Sequence, residues 1–217
     1  MDKCILITGR AAPVTTELAI RTAAKGFTLA TAADGPNESG NGIGELDERI
    51  RAVEWKPALP ISARGVVQEV CNAFDRIDEA LVVCAPLAPA VPFHELAPVT
   101  VEDAVDRAVK GLIYMSKELI GHFSRRGGGT LSFVLHQPDR ELSAPLDGAL
   151  LGAFERLVDG LFELYANEPI MLRGFRSSGS EPGEFAEHVL AYLMEEHPRG
   201  GGKWLRHSGR SGLFTLR

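Results

Sequence analysis

Short apolar runs alternate along this chain with longer stretches in which apolar residues recur at helical spacing. The runs are rich in branched aliphatic residues, which is typical of buried strands, whereas the i, i+3, i+4 spacing predicts amphipathic helices. The predicted strands are residues 4–8, 27–32, 80–84, 131–135, 170–175 and 203–206. The predicted helices are residues 13–25, 63–74, 101–124, 147–166 and 184–196.

Two stretches give a weaker pattern. Residues 34–44 are polar and rich in glycine and asparagine, and we expect a loop there, followed by a short helix over 45–53. A third strand is predicted over 54–61, although its two prolines cannot donate to a sheet. Residues 86–98 are rich in proline and are predicted as a loop, and Thr100 is the expected N-cap of the following helix, with Asp103 as its partner.

The alternation of strands and helices predicts the fold class. Strands joined through helices form right-handed crossovers and a parallel sheet covered on both sides. Residues 80–84 are continuously apolar, as expected of a central strand buried on both faces. We therefore expect an α/β fold, a three-layer Rossmann-like doubly wound parallel sheet, as a single domain over residues 1–217.

The composition of the chain argues against several classes of function. The 217 residues are 45% hydrophobic and 24% charged, with a formal net charge of −6, which argues against a nucleic-acid partner. No apolar run is long enough to cross a membrane, and the first strand follows Met1 too closely for a signal peptide. The odd count of three cysteines favours free thiols in the cytoplasm, and the histidines show no metal-ligand spacing.

The first strand, a tight turn and a helix form the opening unit of a nucleotide-binding fold. The turn begins with Thr8-Gly9-Arg10 and leads to Pro13 and Thr15. Glycines in such a turn let the backbone approach a pyrophosphate closely, and a helix N-terminus supplies N–H donors. Proline removes a donor and threonine adds bulk, so the predicted cradle is impaired.

Four segments together resemble the short-chain dehydrogenase/reductase family over nearly the whole chain. They are residues 5–9, 74–85, 92–131 (through Pro92-Phe93-His94-Glu95-Leu96, Lys110-Gly111 and Arg125 to Leu131) and 202–209. The resemblance implies a Rossmann fold and an oxidoreductase ancestry. It also implies an NAD or NADP site at Thr8, Gly9, Arg10, Asp34 and Ala85.

Within that site, Asp34 is expected about one residue beyond the second strand, where an acidic residue bonds the ribose hydroxyls of NAD. Arg10 would instead meet the phosphate of NADP. The family's phosphate loop reads Thr-Gly-x-x-x-Gly-x-Gly, and the last two glycines fall here at Pro13 and Thr15. Of the family's Asn-Asn-Ala-Gly segment, only Ala85 matches.

The family's catalytic residues are absent from their expected places. The asparagine falls at about Ala108, and the serine falls at His136. The Tyr-x-x-x-Lys pair falls either at Ala149 and Ala153 or at Asp147 and Leu151. In the family the tyrosine is the general acid/base, the lysine lowers its pKa and the serine orients the carbonyl. The short connection between the strand at 170–175 and the last helix also leaves little room for a substrate lid.

Three functions stay open. The leading hypothesis is a non-catalytic binding or regulatory protein on a Rossmann scaffold. The second is an NAD(P)-dependent oxidoreductase with a rearranged active site, in which His136 is the catalytic candidate unless it is only a loop histidine bonded to backbone or solvent. The third is another small ligand in a cleft lined by Arg10, Pro86 and His136.

The expected binding partner of this chain is a second copy of itself. The resemblance implies a homodimer or homotetramer through the helices at 101–124 and 147–166. Apolar residues of the second helix cover more than one face, which predicts burial beyond the monomer core. They are Leu150, Leu151, Phe154, Leu161, Phe162 and Leu164.

Overall fold

Seven parallel strands form one sheet in the order β3-β2-β1-β4-β5-β6-β7. The computed structural model describes residues 3–9, 12–34, 48–85, 91–137, 144–179, 181–195 and 201–208. The strands are β1 Cys4–Gly9, β2 Thr28–Asp34, β3 Ile50–Trp55, β4 Glu79–Cys84, β5 Gly129–His136, β6 Ile170–Ser177 and β7 Trp204–His207. The predicted doubly wound, Rossmann-like α/β fold is thereby confirmed.

Proline opens five of the six described helices. The helices are α1 Pro13–Ala24, α2 Pro60–Phe74, α3 Pro98–Val105, α4 Leu112–Arg126, α5 Pro145–Leu164 and α6 Pro182–Leu193. The first helical position suits proline because its N–H would have no intrahelical partner and its φ is already helical. Four of these helices begin two or three residues before the predicted start, since the prolines belong to the helices and not to the preceding loops.

The helices cover the sheet from both sides. On one face, Leu6 of β1 and Val82 of β4 pack with residues of α2, α4 and α5. On the other face, Ile5 and Ile7 of β1 pack with residues of α1 and α6. Alternate residues of one strand thus enter different cores, as the pleat requires.

The region around the third strand was predicted wrongly. Residues 50–53 are not the end of a helix but the first part of β3, which pairs in parallel with β2 from Leu29↔Ile50 to Asp34↔Trp55. The strand therefore ends at Trp55, before Pro57 and Pro60. Alternating exposed and buried residues along β3 mark an edge strand, where the sheet supplies a pairing that local sequence did not indicate.

The N-cap prediction was also wrong. The helix begins at Pro98, and its N-cap is Ala97, which makes no side-chain capping bond. The proline-rich loop holds a short 3₁₀ turn at Phe93–Glu95. The predicted long helix is interrupted by a π-helical segment, Asp106–Gly111, between α3 and α4.

The leucines and phenylalanines of α5 do not argue for burial beyond the monomer. Leu150, Leu151, Phe154 and Phe162 are already buried in the chain's own core, and Leu161 packs against that core. Of the six residues, Leu164 alone is exposed, at 72%. The apolar stripe is wide because α5 lies in a groove between the sheet and the π-helical segment.

A buried ion pair links the middle strands on the α6 side. Arg173 Nη2 of β6 donates to Glu79 Oε1 of β4 at 2.6 Å, and both side chains are fully buried. Ser132 of β5 lies between them and donates to the same carboxylate at 2.9 Å. Lys3 Nζ lies 2.8 Å from Glu79 Oε2 and also donates to Leu193 O at the end of α6. The network ties the start of β4 to the last turn of α6.

Among the described helices, none combines the length and the apolar character that a bilayer crossing requires.

Candidate functional site

The sheet order reverses between β1 and β4, which are neighbours although they are far apart in sequence. In doubly wound sheets ligands bind beyond the carboxyl ends of the strands at such a point. Thr8 is fully buried, and its hydroxyl donates to Leu81 O at 3.3 Å. Gly9 has a φ of +150°, and a Cβ there would lie 2.7 Å from Val83 O. Only glycine lets β1 and β4 approach this closely.

The start of α1 does not fit a pyrophosphate in the manner of the family. Pro13 is the first helical residue and has no N–H, while the N–H of Thr16 donates to Ala12 O at 3.0 Å. Pro13 thus removes one of the backbone donors that a helix N-terminus offers to an anion. The side chain of Val14 is fully buried in the core of α1 and α6.

The structure describes two of the other predicted cofactor residues, Asp34 and Ala85. Asp34 is the last residue of β2, so the strand is longer than predicted and the acidic residue lies at its end. Ala85 directly follows β4 and is half-buried. Arg10 lies outside the described residues, as does Pro86 of the third hypothesis. The structure thus brings Thr8, Gly9 and Ala85 together at the ends of β1 and β4.

His136 is the last residue of β5, and its side chain lies on the face of the sheet that α6 covers. Its side chain is only 5% exposed, its ring stacks on Phe185 of α6 at 5.6 Å, and its Nε2 lies 3.1 Å from Gly179 O. Burial lowers the pKa of His136, and the carbonyl of Gly179 partly offsets that effect. A buried imidazole bonded to the backbone holds the β6–α6 connection.

Neither alignment of the Tyr-x-x-x-Lys pair places a tyrosine or a lysine on α5. In one alignment the places fall at Ala149 and Ala153, which are exposed. In the other alignment they fall at Asp147, which is half-buried, and at Leu151, which is buried. The negative charge of Asp147 contributes, after burial, to raising the pKa of the Cys84 thiol at the end of β4. Of these four residues, Asp147 is the one with a group that can exchange a proton.

The place of the family's asparagine lies inside the π-helical segment. Ala108 is half-buried in Asp106–Gly111, and Gly111 packs so closely on Pro57 that a Cβ would lie 2.5 Å from its ring. π-helical turns within α-helices often occur at functional sites. This chain has the π-helical turn, but it has an alanine where the resemblance places the family's asparagine.

The connection that carries a lid in many enzymes is four residues long. β6 ends at Ser177 and α6 begins at Pro182. Within it, the N–H of Gly179 donates to Ser177 Oγ at 3.1 Å. A turn this short cannot close over a substrate or exclude water from it.

Sequence reasoning missed a cluster of histidines and aromatic rings beside this turn. Phe185 of α6 is stacked between His136 and His207 of β7, and His207 lies 5.1 Å from His188 of α6. The three histidines come from three separate elements and share no sequence motif, so only the fold brings them together. Among the described residues, no group of three or more histidine, cysteine or carboxylate side chains is arranged to hold a metal ion.

The family profile of short chain dehydrogenases matches residues 3–135. The chain belongs to this family. The match runs from β1 into β5 and ends one residue before His136.

Solved structures of the family share the fold over nearly the whole chain. A 3-ketoacyl-(acyl-carrier-protein) reductase from Brucella melitensis, complexed with NADH, superposes with a TM-score of 0.79 at 17% identity, covering 97% of this chain and 98% of its own. A short chain dehydrogenase from Bacillus anthracis gives a TM-score of 0.80 at 15% identity, with 99% and 98% covered. A Serratia marcescens short-chain dehydrogenase/reductase gives 0.75 at 15% identity, with 95% and 96% covered. A search of curated proteins finds no match.

Proposed function

We propose that this member of the family keeps the Rossmann scaffold, has lost the catalytic relay and acts as a binding or regulatory protein. The observation that carries the proposal is the cleft itself. Where the family has serine, this chain has a buried histidine bonded to backbone. Where the family has tyrosine and lysine, this chain has either Ala149 and Ala153 or Asp147 and Leu151.

The chemistry of these side chains supports the proposal. Proton transfer requires a group of suitable pKa within hydrogen-bond reach and contributes roughly 10²–10⁴ in rate. Leu151 cannot hold a cofactor ribose by a hydrogen bond. Ala149 and Ala153 carry no acid–base group, and Asp147, in the first turn of α5, has a leucine in place of a lysine one turn further on.

Titration of the purified chain with NADH and with NADPH, followed by nucleotide fluorescence, tests the proposal. We expect no saturable binding at micromolar nucleotide and no carbonyl-dependent oxidation of either one. The Brucella melitensis reductase, whose structure holds NADH, is the positive control. Saturable binding together with turnover of a ketone would overturn the proposal.

The second candidate is an NAD(P)-dependent oxidoreductase with a rearranged active site. The observation that favours it is Asp147, which is a half-buried carboxylate beside the end of β4. If turnover is found, Asp147→Asn should abolish it, whereas Asp159→Asn, on the same helix but bonded to Trp204 Nε1 at 2.9 Å, should leave it intact. Equal activity of both variants would exclude Asp147 from the reaction.

A homodimer or homotetramer through the α3–α4 stretch and α5 is part of the proposal. The outer side of α5 is exposed and carries small residues, namely Gly148, Ala149, Gly152 and Ala153. A Cβ added at Gly148 or Gly152 would meet nothing within 4 Å. Small residues let two helices approach closely, which supports packing against a second copy.

Light scattering at micromolar concentration tests the association. We expect a dimer or tetramer for the natural chain and a monomer for Ala153→Arg. Ala191→Arg, at an exposed position of α6, should leave the oligomer unchanged. A monomeric natural chain would contradict this part of the proposal. A cytoplasmic location stays a prediction, supported by the three free cysteines.

A further inference from the structure

The edge strand β7 is held against α6 by ring contacts rather than by aliphatic packing alone. Among the described strands β7 pairs with β6 alone, from Gly174↔Trp204 to Ser177↔His207. Leu205 faces α6 with the surrounding core, and His207 follows on the same side at the end of the strand. His207 therefore closes the contact between β7 and α6 at the carboxyl end of the sheet.

His207 and His188 are in direct contact. Their ring centroids lie 5.1 Å apart at an interplanar angle of 42°. His207 also stacks on Phe185 at 5.8 Å, and its Nδ1 lies 3.4 Å from Ser177 Oγ. On its other sides His188 meets the edges of Phe175 and Tyr192. Its Nε2 is buried and has no hydrogen-bond partner among the described residues.

We propose that the contact between His188 and His207 is a pH-dependent latch, closed at neutral pH and opened as the pH falls, which releases β7 from α6. Two imidazolium ions at this separation repel each other, and both lie among aromatic rings that solvate charge poorly. The neutral pair, in contrast, packs as two aromatic rings.

Among the described residues, no carboxylate forms an ion pair with either ring of the latch. On α6, Glu187 is engaged by Arg21 of α1, which also holds Glu17, and Glu184 is exposed one turn before His188. From β6, the cation of Arg173 lies 5.3 Å from the ring of Phe175 and 5.8 Å from that of Tyr192.

Two further described side chains near the latch can carry a charge. His136 of β5 lies on the far side of Phe185, and Arg206 of β7 is exposed and alternates to the opposite side of the strand. Of these groups Glu184 alone is a carboxylate not engaged by Arg21 or Arg173, and it lies in solvent. Burial, and next the charge of His207, lower the pKa of His188, in agreement with a closed state that excludes protons.

Hydrogen–deuterium exchange of the β7 peptide in the full chain tests the latch, after correction for the intrinsic pH dependence of exchange. Between about pH 7.5 and about pH 5.5, protection of β7 should fall about tenfold, since opening takes up a proton below the ordinary imidazole pKa of about 6.5. Protection of β1 and β4 should not change. A β7 peptide equally protected at both pH values would overturn the proposal.

Variants test whether the rings of His188 and His207 cause the loss of protection of β7. His188→Phe keeps an aromatic ring and removes the titrating group, so β7 should remain protected at the lower pH. His207→Phe should do the same and serves if the first variant does not fold. His94→Phe is the control, because His94 is 82% exposed on the 3₁₀ turn, and its response should equal that of the natural chain. A full acid response in either latch variant would contradict the assignment.

Discussion

At the scale of single residues, buried polar and charged side chains are matched to partners within the chain. The ring of His136 stacks on Phe185, and its Nε2 lies 3.1 Å from Gly179 O. Glu79 and Arg173 are two full charges placed in the core and matched to each other. Both arrangements have consequences that can be measured.

Glu79→Gln should destabilise the fold by about 3–5 kcal/mol, because the Arg173 guanidinium stays fully buried without its carboxylate. Urea unfolding followed by circular dichroism measures the loss. Glu69→Gln is the matched control, since its partner Arg51 is exposed, and it should cost less than about 1 kcal/mol. Similar losses for the two variants would contradict the importance of the buried pair.

Acidification from about pH 7.5 to about pH 5 should lower the free energy of unfolding. Burial lowers the pKa of His122, His136 and His188 in the folded chain, so the unfolded chain binds more protons. The stability is fully present above the ordinary imidazole pKa of about 6.5 and is lost as the pH falls below it. His136→Phe should reduce the slope of urea stability against pH. An unchanged slope would show that His136 does not contribute.

At the scale of helices and strands, proline and glycine also occupy defined positions within helices and strands, and not only in loops. Proline at the first helical position opens five helices, and the predicted starts were late wherever that proline was assigned to a loop. Glycine has two different roles. In β6 it makes room for a neighbour, while on the outer side of α5 it leaves the helix surface open.

Gly174→Ala and Gly65→Ala should have opposite effects on stability. At Gly174 a Cβ would lie 2.4 Å from the Trp204 ring, so the variant should be destabilised and its tryptophan emission red-shifted as β7 moves away. At Gly65, on the exposed side of α2, a Cβ would meet open space, and the higher helix propensity of alanine should add up to about 1 kcal/mol. The comparison is made by thermal unfolding at neutral pH. Destabilisation by Gly65→Ala would contradict this expectation.

At the scale of the whole molecule, the fold is kept at low sequence identity. The sheet superposes on family members over nearly the full chain, while the identity stays below a fifth. We propose that the residues that would hold or enclose a ligand have diverged further, at the turn before α1, on α5 and in the β6–α6 connection. A scaffold can persist when its core is preserved even if the site residues are replaced.

Dinucleotide should accordingly fail to stabilise the chain. A ligand present at about 100 times its Kd raises the free energy of unfolding by about 2.7 kcal/mol, which shifts a melting curve visibly. With about 1 mM NADH or NADPH we expect no shift. A clear rise in Tm with either nucleotide would mean that the few donors at the start of α1 suffice for binding.

The sequence by itself determined the class of fold, most of the strands and the absence of a tyrosine–lysine pair, because hydrophobic period and residue identity are local properties. The tertiary structure alone decided that residues 50–55 form a strand, that Asp147 is half-buried while Ala149 is exposed, and that most apolar residues of α5 are buried in the chain's own core. The contacts of His188 with His207 and of Glu79 with Arg173 join residues distant in sequence. No local pattern encodes such contacts, since they exist only once the sheet and α6 have packed.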